Sequence, residues 1–100
     1  VFPTDEIKAK VAQLPEDERK KHEEVLMHAD IIAADLYIYN QELMDKAVAE
    51  HKVVAMAGHL IKRANQLFKT KIPEGMDPKI AVGYFKEALN VHIGKGQKIF

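Results

Sequence analysis

The chain contains no cysteine, no serine and no tryptophan, and its only threonines are Thr4 and Thr70. Without cysteine there is no disulfide framework, no thiolate nucleophile and no Cys-ligated zinc or iron–sulfur site, which fits a reducing compartment. Without serine, nucleophilic hydroxyl chemistry would fall to two threonines that lack any activating sequence context. No apolar run reaches the roughly 18 to 20 residues that span a bilayer, and no basic segment followed by an apolar stretch opens the sequence. The expectation is a cytoplasmic protein with no membrane partner. Phosphate-loop and dinucleotide fingerprints are missing too, since Gly94-Lys95-Gly96 lacks the flanking strand and helix they require.

What is present is a domain-sized chain of 100 residues, 47% apolar and 30% charged, a balance that folds into one globular unit. A start at Val1 instead of Met points to a processed product or a piece excised from a longer protein. The formal charge is zero, yet residues 1–50 hold six Lys/Arg against twelve Asp/Glu and residues 51–100 hold nine against three. The halves therefore carry −6 and +6. Such a separation is satisfied within the fold, by acidic helices lying on basic ones, or between molecules. The first is preferred because both halves belong to one small domain. A neutral total and the lack of a stacking platform argue against nucleic acid.

Proline and glycine fall at intervals that punctuate helices. Thr4 caps a short first helix that stops near Leu14. Pro15 suits the first position of a second, acid-led helix running unbroken to Tyr39-Asn40, about 35 Å long at 1.5 Å per residue. Asn40 caps a short third helix through Val48, and a fourth runs from about Lys52 to Lys71. Ile72-Pro73-Glu74-Gly75 forms a turn, Asp77-Pro78 opens a fifth helix, Gly94 ends it and Gly96 loosens the tail. No segment alternates with a period of two, so the expected fold is an all-α bundle of about five helices around one long central helix.

In the fourth helix, Val53, Val54, Ala57, Leu60, Ile61, Ala64, Leu67 and Phe68 make one apolar stripe. The second helix has two. Val25, Ala29, Ile32, Ala33 and Leu36 form one stripe, and Met27, Ile31, Ala34 and Ile38 form another on nearly the opposite side. Either the other helices cover both sides, with the fourth and fifth on one and the first and third on the other, or one face is left for a second subunit or neighbouring domain. The four methionines read first as core filler, although Met27 and Met44 could supply adaptable contact area.

Five histidines prompt a metal search, but no HExxH and no paired ExxH occurs, and no metal or cofactor is expected. His22, His51 and His59 read as surface groups. His28 shares a seam with Asp35 and Tyr39, a spacing suited to a buried hydrogen-bonded network that fixes helix orientation. His92, near the end of the fifth helix, reads as a partly buried capping residue. Lys62, Arg63 and Lys69, together with Lys71, Lys79 and Lys86, form either a solvated basic face or an anion-attracting one.

The segment Ala29-Asp30-Ile31-Ile32-Ala33-Ala34-Asp35-Leu36-Tyr37-Ile38-Tyr39-Asn40-Gln41-Glu42 resembles a helical region at the C-terminus of bacterial signalling and regulatory proteins, often behind receiver or zinc-ribbon domains. Asp35, Tyr39, Asn40 and Glu42 carry the likeness. Ile61 to Pro73 looks like that region's second helix and closing Ile-Pro turn, so the resemblance covers roughly residues 25–93. Two departures stand out: the later helix is basic where the family is acidic, and Glu50-His51-Lys52 replaces a glycine-containing loop. The resemblance implies an accessory role in the bacterial cytoplasm and supplies no chemistry. The function expected is a non-enzymatic interaction or self-association module, its contact face Met27, Ile31, Ala34 and Ile38, its partner a second copy or a neighbouring domain. The competing expectation is a helical domain binding a metal, anion or small ligand through His28, Asp35 and Tyr39 or through the basic fourth helix.

Overall fold

Two side chains start helices where the sequence places caps. Thr4 Oγ1 accepts the Ile7 N–H at 3.4 Å and opens α1 (Asp5–Ala12). Asp77 Oδ1 accepts the Lys79 N–H at 2.9 Å and opens α5 (Pro78–His92). Between them lie α2 (Glu16–Tyr39), α3 (Gln41–Ala49) and α4 (Val53–Lys69). The computed structural model describes residues 2–100, and among these there is no strand. Pro15 takes the place just before α2, where its ψ of 152° turns the chain out of α1.

Two junctions differ from expectation. Asn40 does not cap α3; its Nδ2 donates to the Leu36 carbonyl at 3.0 Å and so closes the end of α2. The α3–α4 junction is a Schellman turn, in which the Lys52 N–H donates to the Ala47 carbonyl at 2.9 Å and the His51 N–H to the Val48 carbonyl at 3.2 Å. His51 holds the left-handed position of that turn at φ 55°, where glycine is the unstrained residue.

α2 is 24 residues long, about 36 Å at 1.5 Å per residue, close to the 42 Å longest dimension of the molecule. It packs most extensively on α5 and next on α4, while α3 lies mainly on α4 and α1 on α2. Fully buried Ala29 and Ala33 on α2 and Ala81 and Ala88 on α5 remove side-chain bulk where helices meet. The core thickens around Phe68 and Phe85, whose rings stack at 4.7 Å with 10° between planes. Ile7 and Val11 of α1 and Met44 of α3 belong to the same cluster. Met44 is thus wholly buried and offers no contact area to a partner.

The tail after α5 is tied down, contrary to the loosening expected at Gly96. The Asn90 side chain is buried, and its Oδ1 accepts the N–H groups of Ile99 and Phe100 at 2.8 Å each. The Gly96 N–H donates to the Asn90 carbonyl at 2.9 Å. Gly94 is required here, because a Cβ at that position would lie 2.6 Å from the Gln97 carbonyl oxygen and 2.7 Å from that of Asn90.

The acidic α1–α3 half and the basic α4–α5 half do lie against each other, but not through ion pairs of their lysines and arginines. Among the described residues, every Lys/Arg–Asp/Glu pair within 4 Å is an i,i+4 pair inside one helix, such as Lys10–Glu6 and Lys46–Glu50. The one pair joining the halves is His92 with Asp30. The charge asymmetry therefore stays largely on the surface.

Candidate functional site: the outer face of the long helix

At 100° per residue, Met27, Ile31, Ala34 and Ile38 fall within about 60° of one another on α2. The opposite side of the helix carries Val25, Ala29 and Ala33, all buried. Neither α1 nor α3 covers the outer stripe. Met27 is 51% exposed, Ile31 49% and Ile38 63%, with Ala34 partly buried between them. The arrangement with both faces sheathed is thus overturned: α3 turns toward α4, and α1 is too short to follow α2 beyond its beginning.

Spacings of four, three and four residues make this stripe a narrow seam of the kind that packs one helix on another. Its flanks are acidic. Asp30 and Asp35 stand on either side of the Ile31–Ala34 segment, and Glu23 and Glu24 continue the acid toward the N-terminal end.

The predicted His28–Asp35–Tyr39 network does not form. Half-buried His28 faces Glu24 at 3.9 Å, while Asp35 is exposed and Tyr39 is 81% exposed. Seam spacing aligned the three side chains along the helix, but no neighbouring helix arrives to bury them. Asp35 and Tyr39 instead line a shallow surface groove with Arg63 and Leu67 of α4. The basic candidates also separate. Lys62 and Lys69 share a face of α4, Arg63 lies about 100° away from Lys62 on the helix, and all three are exposed. Among the described residues, no three His, Asp or Glu side chains gather in metal-binding geometry.

Two polar contacts that periodicity did not reveal join α2 to α5. His22 Nδ1 and the Tyr84 hydroxyl share a hydrogen bond of 2.7 Å, their rings meeting edge to face. The surface reading of His22 is thereby corrected. Burial pushes the Tyr84 phenol above its ordinary pKa. His92 lies partly buried in the last turn of α5, as expected, and its Nε2 donates to Asp30 Oδ1 at 2.6 Å. Both contacts span 62 residues, so α2 and α5 run parallel in constant register. His51 and His59 are exposed as expected.

No family model matches the chain, and neither a curated protein nor a solved structure matches it. Among the described residues no helix is long and apolar enough to cross a membrane.

Proposed function

We propose that the protein is a non-enzymatic helical interaction module whose α2 seam receives an amphipathic helix of a protein partner. The observation that carries this reading is the exposure of Met27, Ile31 and Ile38 in one seam, on a helix whose other side already fills the core. Apolar side chains at such spacing contribute burial to an interface, and Ala34 lets the partner backbone approach.

Charge selects between the two partners expected from sequence. Two copies joined through this seam in parallel would bring Asp30 toward Asp35 of the second copy, and in antiparallel each acidic flank would face its like. A helix with its own apolar seam and lysine or arginine flanks meets the same surface with attraction. The partner is accordingly a basic-flanked helix of another protein or of a neighbouring domain. An accessory place beside a bacterial signalling or regulatory domain is the setting the resemblance implies.

The test uses two designed helical peptides with the same 3–4-spaced leucines, one flanked by lysine and one by glutamate. Fluorescence anisotropy should show saturable binding of the lysine peptide, at least tenfold weaker binding of the glutamate peptide, and loss of binding in Ile31→Glu and Ile38→Glu proteins of unchanged helicity. Equal binding of both peptides would remove the charge argument. A dimer in light scattering that Ile31→Glu dissociates would replace this reading with self-association, and unfolding by Ile31→Glu would assign the face to the core.

A further inference from the structure

A second surface lies away from the outer face of α2. Between α4, from Val53 to Asn65, and the middle of α5 there is a cleft of ≈ 430 Å³, with Ile99 and Phe100 of the tail as its third wall. That volume lies in the lower part of the range of small-molecule sites, about 300 to 1,000 Å³. Ile61, Val82, Ile99 and Phe100, each partly buried, give the cleft its open apolar surface, and the buried Phe85 and Leu89 back it. The tail wall is fixed in place by the two hydrogen bonds to buried Asn90.

Gly58 also lines it, in the interior of α4. Glycine there costs helix stability of about 1 kcal/mol relative to alanine, and neither backbone nor packing calls for it. A Cβ at this position would meet only Val54 Cγ1, at an ordinary 3.7 Å. What the missing side chain provides is open space in the cleft.

The mouth is cationic. Lys62 from α4 and Lys86 from α5 both line the cleft and are exposed. Among the described residues neither has a carboxylate within 4 Å, a condition they share with most of the chain's lysines; what sets them apart is that both line the same apolar cleft. Two unneutralised ammonium groups beside an apolar trough match a ligand with one anionic end and a hydrocarbon body. A polyanion such as a nucleotide would leave its polar sugar and phosphates against isoleucine, valine and phenylalanine.

We propose that the α4–α5 cleft binds a small monoanionic amphiphile, a medium-chain carboxylate, with its chain against the partly exposed Ile61, Val82 and Phe100 and its head toward Lys62 and Lys86. This site is independent of the α2 seam, and either can fail alone.

The test is a titration of the full chain with sodium octanoate below micellar concentrations, followed by amide chemical shifts, with sodium acetate and 1-octanol in parallel. Octanoate should give saturable shifts at Gly58, Ile61 and Val82 and binding at least tenfold tighter than either comparison compound. Lys62→Gln/Lys86→Gln should weaken octanoate at least tenfold, and Gly58→Leu should abolish binding by filling the trough. Both lysines are exposed, so the double variant keeps the test decisive even if Gly58→Leu disturbs the fold. No saturation with octanoate, shifts confined to the α2 seam, equal binding of 1-octanol, or undiminished binding in the double variant would each overturn the proposal.

Discussion

Asp30 on α2 and His92 on α5 meet at 2.6 Å, eight residues along both helices from the 2.7 Å contact of His22 with Tyr84. The two contacts hold the register of a parallel helix pair, with buried Leu26, Ala29, Phe85, Ala88 and Leu89 falling between them in sequence. Apolar packing tolerates sliding better than a pair of hydrogen bonds does, so the polar contacts specify register while the core supplies burial.

A double-mutant cycle on Asp30→Ala and His92→Ala should return a coupling of about 1 kcal/mol, since the bond is charge-assisted but partly open to water. Urea unfolding of the four proteins measures it. A coupling indistinguishable from zero would show that apolar packing alone sets the register.

Alkaline pH should expose the burial of Tyr84. Below the ordinary phenol pKa of about 10, folded and unfolded chains are both protonated at this residue and it contributes no slope. Above that value the unfolded chain releases its proton first, because the folded value is raised, so stability falls as pH rises until the folded value is passed. Tyr84→Phe should remove this part of the alkaline decline in urea midpoints, and an unchanged slope would contradict it.

His51→Gly should stabilise the protein by about 1 kcal/mol, because a left-handed residue with a Cβ is replaced by one without. For a chain of this length that corresponds to a rise in thermal midpoint of about 4–8 °C. Calorimetry gives the answer, and a fall would mean that the imidazole makes a stabilising contact.

Phe68→Ala should cost about 3–5 kcal/mol, the range for emptying a buried aromatic site. Small domains have only about 5–15 kcal/mol in all, so the variant should be close to unfolding. A loss below 1 kcal/mol in urea unfolding would show that the Phe85 side of the core can collapse into the gap.

Asn90→Ala should release the tail, because Phe100 would lose its acceptor and Ile99 would keep only the Gln97 carbonyl at 3.0 Å. Amide exchange at those two residues should accelerate while exchange in the middle of α2 stays unchanged. Retained protection at Phe100 would show that apolar contact fixes the tail.

Helix positions were readable because their causes are local. Thr4, Asp77-Pro78 and Gly75 act within a turn of themselves, and the five helices follow from them and from the 3.6-residue period. The second stripe of α2 was equally plain in the spacing of Met27, Ile31 and Ile38. That α1 and α3 leave it half exposed depends on where α3 goes, and the backbone at Asn40 decides that without any periodic signal. The expected His28–Asp35–Tyr39 network failed for the same reason, since alignment along one helix does not supply the partner that buries it. His22–Tyr84 and His92–Asp30 join residues 62 apart, and pairings at that distance leave no mark in a single sequence. The cleft left only a faint trace, an interior glycine at position 58 in an otherwise regular helix.

The parallel pairing of α2 with α5 also orders events at the ribosome. At the usual elongation rates of about 5–20 residues per second, a residue of α2 waits roughly 3–12 s for its counterpart to be made. During that interval the inner side of the nascent helix has only its earlier neighbours for cover, and both of its greasy sides are open to chaperones.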